Sequence, residues 1–145
     1  MDPSQIEVGG RNLLLDTGRS ITGVGNNTDN QVFYGYDLAG GKKEADLYNQ
    51  YGPSGSLTIS FDWAASGDTI SGKFIPQWND TPWSGLANSG DIKPSSTNKS
   101  GHYTSTVQLN TNGYSTGVAT GIGFRLDSLQ GSLTISNMKL EVVQS

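Results

Sequence analysis

Eight residues limit the fold more than any others. Ser56-Leu57-Thr58-Ile59-Ser60-Phe61-Asp62-Trp63 alternates polar and apolar without a break. Successive side chains of a strand point to opposite faces, so Leu57, Ile59, Phe61 and Trp63 share one face and the polar set shares the other. That is the pattern of a half-buried antiparallel strand, and it assigns Trp63 to the core. The hexamer Gly-Ser-Leu-Thr-Ile-Ser occurs at 55–60 and again at 131–136. Two similar strands built from common β-formers explain it better than a true repeat, and they fit equivalent positions in one sandwich.

Other segments follow the same period. Val32, Tyr34 and Tyr36 fall on one side of a strand running from Gln31 to Leu38. Thr69 to Trp78 reads as a strand after a Ser66-Gly67-Asp68 turn. His102 to Leu109 alternates and leads to an Asn112-Gly113 turn. Ile122 to Asp127 alternates with Arg125 and Asp127 opposite the apolar set. From Ser132 the pattern continues to Met138, Leu140 and Val142, and its parity switches after Ile135, which places a bulge at Asn137. Ile6, Val8 and Leu13-Leu14-Leu15 read as two short strand pieces. Residues 16–30 and 84–101 read as loops, and Lys43 to Tyr51 allows a helical turn stopped by Gly52-Pro53. The expected fold is all-β: a jelly-roll β-sandwich of two antiparallel sheets, one domain over residues 6–145 after a linker remnant at 1–5.

Composition narrows the function. The 145 residues carry a net charge of −4, with 33% apolar and 15% charged residues. Three Trp, six Tyr and four Phe are too many aromatics for a disordered chain of such low charge. Nine Lys and Arg are scattered, with Lys42-Lys43 the one adjacent pair, so no nucleic-acid partner is expected. No apolar run approaches membrane-spanning length, so no membrane partner is expected either. With no cysteine and one histidine, His102, thiolate metal sites and thiol nucleophiles are excluded.

The segment Phe74-Ile75-Pro76-Gln77-Trp78-Asn79-Asp80-Thr81-Pro82-Trp83 concentrates the chemistry. Two indoles, fixed by two prolines, stand beside amide, carboxylate and hydroxyl groups. A pyranose packs its C–H face on an indole, and its hydroxyls need donors and acceptors. The candidate ligand residues are therefore Trp83, Trp78, Gln77, Asn79 and Asp80, with Tyr34, Tyr36, Tyr103 and Arg125 behind them. Trp78 shares parity with Phe74 and Pro76, which also suits a core role. Trp83 has no apolar periodic partner and is the first choice for a sugar face. A turn at Asp80-Thr81-Pro82, with a cis Thr81–Pro82 bond as one form of it, would bring both indoles to one sugar. Extended, the segment would place them about 16 Å apart, on neighbouring units.

A glycosidase needs two carboxylates across a sugar. Asp62, Asp68, Asp80, Asp91 and Asp127 qualify by type, yet each has a plainer role in a turn, on a polar strand face or in a loop. His102 sits at a strand entry, where an exposed polar position explains it better than a catalytic triad. No catalysis is expected. A structural calcium, held by loop acids such as Asp29 and Asp37, fits the fold class but no known loop spacing.

Five stretches carry a family resemblance: Gly10-Arg11-Asn12-Leu13-Leu14-Leu15, Leu57 to Asp62, Gly101-His102-Tyr103, Gly123 to Asp127, and Ile135-Ser136-Asn137-Met138-Lys139-Leu140-Glu141. Together they resemble the accessory carbohydrate-binding modules in tail and baseplate proteins of phages that infect lactic acid bacteria. Those are similar in turn to jelly-roll modules attached to bacterial glycosidases. The resemblance spans residues 10–142 and lies mostly in strand-forming positions. It implies a non-catalytic module that binds the cell-wall polysaccharide of a Gram-positive host. It also implies neighbouring domains of a parent virion protein and a place in the virion tail or baseplate, acting at the host surface. Such modules often continue past the closing Lys-Leu-Glu into a Trp/Pro linker, where this sequence reads Val142-Val143-Gln144-Ser145. A structural or assembly domain is the competing expectation.

Overall fold

The computed structural model describes residues 11–144. The strand expectation at Ile6 and Val8 and the linker remnant at 1–5 lie outside the described residues. The described residues form an all-β antiparallel sandwich with one short α-helix and two single 3-10 turns, Ala39–Gly41 and Tyr114–Thr116. Its elements are β1 (Ile21–Asn26), β2 (Gln31–Asp37), α1 (Glu44–Tyr51), β3 (Ser56–Trp78), β4 (Ser100–Gln108) and β5 (Gly121–Val143).

Two of these strands are 23 residues long, and they build both layers. β3 and β5 pair along their whole lengths, from Ser56 opposite Val143 to Trp78 opposite Ile122. Each is sharply bent. Trp63 and Phe74 lie on the same strand, where eleven straight residues would span about 36 Å. Their ring centroids are only 5.8 Å apart. The strand therefore folds over the core between them, where its pairing register shifts around Ser66 to Lys73. Gly72 sits in that bend at φ 88, and a Cβ there would lie 2.3 Å from the Ser128 carbonyl oxygen, so only glycine fits. The turn expected at Ser66-Gly67-Asp68 is this bend, which the hydrogen-bond ladder passes through. The two antiparallel layers of the expected sandwich are thus continuous through the bend, their ladders linked across five strands.

One layer holds β4, the first half of β3 and the second half of β5. The other holds the second half of β3, the first half of β5 and β2. The two Gly-Ser-Leu-Thr-Ile-Ser segments lie on adjacent antiparallel strands of the first layer but do not face each other: Ser56 to Ser60 pair with Val143 to Lys139, and Ser132 to Ser136 with Ser66 to Asp62. Phe61 of that layer meets Phe124 of the other edge-on at 5.2 Å. Leu57, Ile59, Phe61 and Trp63 are all buried, as their alternation requires. The bulge expected at Asn137 is present. Ser60 pairs with Lys139 but Asp62 with Ser136, so β5 carries one extra residue there, and Asn137 has φ 53.

Three segments differ from the sequence reading. Residues 21–26, expected as loop, form β1 against β5. Gly23 is not a turn signal: a Cβ would lie 2.7 Å from the Phe33 ring that packs over it. The segment 44–51 is a full two-turn helix rather than one turn. Its start is capped by the Asp46 carboxylate, which accepts the Lys43 amide at 2.8 Å. Residues 84–101, expected as a surface connection, are anchored by buried Leu86 and Ile92. Ile92 exchanges two backbone hydrogen bonds with Phe74 and so covers the outer edge of β3.

Candidate functional site

The site lies on the outer face of the layer made by β3, β5 and β2. Its residues follow from alternation. Phe74, Trp78, Ile122, Phe124 and Leu126 point into the core and are buried. The residues between them must point outward. The register then sets two rows across the three strands: Gln77, Gly123 and Tyr34; and Ile75, Arg125 and Val32. Gly123 has no side chain, which leaves a gap between Gln77 and Tyr34. Two strand spacings make that gap about 10 Å wide between backbones.

Trp83 stands at the β3 edge of this gap. Its carbonyl accepts the Trp78 amide at 2.8 Å and its own amide donates to the Asp80 carbonyl at 2.7 Å. The Thr81–Pro82 peptide within this turn is cis. Trp83 has φ 68, a left-handed conformation rarely adopted by a bulky side chain. Its ring is 50% exposed. Tyr34, on the far side of the gap, is 77% exposed. Asn30, Val32, Gln77, Trp83 and Arg125 line an open cleft of about 420 Å³.

Two polar groups reach this cleft. Gln77 is buried along most of its length, but its amide opens into the cleft and makes no hydrogen bond among the described residues. Arg125 is fixed from behind. Its Nε donates to Asp127 Oδ1 at 3.2 Å and lies 3.1 Å from Oδ2 in an ion pair, and Asp127 Oδ1 also accepts the Asn30 amide at 2.9 Å. The terminal guanidinium nitrogens contact no partner among the described residues.

The structure brings three expected residues together in the cleft, Trp83, Gln77 and Arg125, and leaves Tyr34 exposed on the same sheet face, in register with Gly123 and Gln77. It removes three others. Trp78 is fully buried, and its Nε1 donates to the Tyr114 hydroxyl at 3.1 Å, so it is a core residue and not a sugar platform. Tyr36 is buried because the register shifts between Tyr34 and Tyr36, turning it to the core side. Its hydroxyl donates to the Arg19 carbonyl at 2.9 Å. Tyr103 is buried against Phe61 and donates to the Gly90 carbonyl at 3.0 Å.

Asn79 and Asp80 lie beside the cleft without lining it. The Asn79 amide oxygen accepts the Thr120 backbone N–H at 3.1 Å and pins the end of β3. One Asp80 oxygen accepts the Thr81 amide at 2.7 Å. Asn30 and Val32 are cleft residues that sequence reasoning missed. Val32 shared its outward parity with Tyr34, and that signal could have found it.

The other carboxylates are engaged elsewhere. Asp62 accepts from Asn137 at 2.7 Å and lies 2.7 Å from His102 Nδ1, on the outer face of the opposite layer. Those two hydrogen bonds, Asn137 first, hold its pKa below the usual value. Asp91 pairs with Lys73 at 3.2 Å. Asp29 accepts the Ser128 hydroxyl at 2.8 Å. Among the described residues no three acidic or imidazole side chains gather as metal ligands, at Asp29 and Asp37 or elsewhere.

Glu44, in the first turn of α1, is wholly buried, and neither carboxyl oxygen has a hydrogen-bond partner of ordinary geometry. Burial raises its pKa to about 9; the Ala119 N–H opposes the shift and the Asp80 charge adds to it. A strap at 117–119 closes over it. Glu44 and Ala45 donate to the Ala119 and Gly117 carbonyls, and Val118 donates to the Thr81 carbonyl in the Trp83 loop.

No family model matches the chain, and no characterised protein matches it in sequence. Solved structures similar to it at a distance include the following three. A CBM4 module has a TM-score of 0.48 and 15% identity, covering 86% of this chain and 82% of that one. The CBM22-1 xylan-binding domain of Paenibacillus barcinonensis Xyn10C has a TM-score of 0.46 and 13% identity, covering 87% and 73%. The tripod from the baseplate of bacteriophage Tuc2009 has a TM-score of 0.44 and 14% identity, covering 92% of this chain and 56% of that one.

Proposed function

We propose that this domain is a non-catalytic carbohydrate-binding module and that the cleft between Trp83 and Tyr34 is its sugar site. The observation that carries the reading is the cleft itself. The exposed Trp83 ring lines a floor with a Gln77 amide free for a ligand, and the exposed Tyr34 stands on the same sheet face, in the row of Gln77 and Gly123. The Gln77 amide opens into the cleft and makes no hydrogen bond among the described residues, so both its donor and its acceptor are free for ligand hydroxyls. Trp83 is held in a costly backbone conformation, which also suits a residue positioned for contact. Trp83 and Tyr34 stack on pyranose faces, Gln77 bonds hydroxyls, and Arg125, Asn30 and Val32 complete the surface.

The finer reading follows from the sequence resemblance over residues 10–142. The ligand is a host bacterial cell-wall polysaccharide, and the domain is part of a phage tail or baseplate adhesion protein. Each ring contributes about 1–2 kcal/mol, so single-site binding is weak. Several copies on one particle would supply the avidity.

The test uses purified wall polysaccharide and intact Gram-positive cells. The labelled domain is expected to stain cells, free polysaccharide is expected to compete, and Trp83→Ala is expected to abolish staining with the fold intact. Staining that no polysaccharide competes away would favour a protein-docking or assembly role. Release of sugar products would favour a glycosidase.

A further inference from the structure

We infer that the saccharide taken by this cleft carries an acidic group, a carboxylate or a phosphate ester, seated on Arg125. The inference rests on the sugar-binding reading of the cleft. Arg125 is the one cation that lines it. The guanidinium is presented in a fixed orientation: both Asp127 oxygens hold the Nε side, and Asp127 is itself held by the Asn30 amide. This leaves the two terminal nitrogens as a planar fork without a partner among the described residues. Such a fork matches two oxygens of a carboxylate or phosphate better than it matches a single hydroxyl.

Position supports the same assignment. Arg125 lies two residues along β5 from Gly123, about 7 Å from the row of Gln77 and Tyr34. A sugar ring stacked on the aromatic walls would place a ring substituent, not the ring itself, over the guanidinium. No free carboxylate in the cleft competes for it. Asp127 is committed to Nε, Asp91 to Lys73, and the Asp80 carboxylate is turned into its own loop, where it accepts the Thr81 amide.

The probe is an array of bacterial saccharides containing matched acidic and neutral forms. Uronate oligomers are paired with their carboxyl-reduced products, and phosphomannans with their phosphatase-treated products. The unaltered domain is expected to bind only acidic members. Arg125→Gln should weaken that binding at least ten-fold, and Arg125→Lys should recover only part of it, with circular dichroism unchanged in both. Raised salt should weaken wild-type binding and leave the residual binding of Arg125→Gln nearly unaffected. Loss confined to carboxylate pairs or to phosphate pairs identifies the group. Equal binding to both members of each pair, abolished by Trp83→Ala but not by Arg125→Gln, would overturn the acidic seat and leave the sugar site standing. Binding to no saccharide would overturn both.

Discussion

Replacing Glu44 with Gln is expected to stabilise the protein at pH 8 and to flatten its stability between pH 5 and pH 8. The folded chain holds the Glu44 proton to about pH 9, against an ordinary value of 4.5. Between those values the folded state keeps a proton that the unfolded state has released. Stability therefore falls as pH rises, by about 1.4 kcal/mol per unit. The contribution is fully present below the unfolded value and is lost by the time the folded value is passed. From pH 5 to pH 8 the loss is about 4 kcal/mol, a large part of the roughly 5–15 kcal/mol that holds a typical domain together. For a chain of this length that is a drop in Tm of about 10 °C. Gln keeps the shape without the charge, so its variant should match the wild type near pH 5 and exceed it at pH 8. Thermal unfolding followed by circular dichroism across that range is the assay. Parallel wild-type and Glu44→Gln curves would show that the buried carboxyl finds a partner for its charge, and the argument would fail.

The two tryptophans of the 74–83 segment should separate cleanly. Trp78→Ala should cost about 3–5 kcal/mol in denaturant unfolding, while Trp83→Ala should change stability by less than about 1 kcal/mol and abolish detectable saccharide binding. Tyr114→Phe strips the acceptor from the buried Trp78 indole and should cost about 1–3 kcal/mol by the same measurement. Gly72→Ala places a Cβ on the Ser128 carbonyl at positive φ and should destabilise by more than about 2 kcal/mol. A smaller loss would mean that the bend can move.

The fold class was legible because alternation survives wherever one strand face meets the core. Leu57 to Trp63 and Ile122 to Leu126 needed nothing beyond their own period. The bends were less legible, since Ser66-Gly67-Asp68 looks the same in a turn between two strands and in a kink within one. β1 was hidden because Gly23 serves close packing against Phe33, a neighbour known only from the tertiary structure. Glu44 carried no signal at all. An acid in the first turn of a helix is ordinarily exposed and favourable there, and its burial comes from the strap at 117–119, more than seventy residues further on.

The cleft residues show why half of the site could be read and half could not. Gln77 and Trp78 were both expected on the sugar, but adjacent residues of one strand cannot face the same side. Phe74 and Trp78 share a parity, and so do Ile75 and Gln77, so burial of Phe74 commits Trp78 to the core and Gln77 to the cleft. That choice was available from the sequence, since Thr69 to Trp78 reads as a strand in which Trp78 shares the parity of Phe74. Tyr34 and Tyr36 could not be separated in this way, because the register shift that turns Tyr36 inward lies between them. Trp83 was identified for the opposite reason: it follows no period, so only its surroundings fix it. Its backbone bonds to Asp80 and Trp78 place an exposed indole at the edge of a sheet whose outer face already offers Gln77 and Arg125. Core packing thus sets the site's geometry indirectly. Each inward aromatic on β3 and β5 determines which polar neighbour is presented to the cleft.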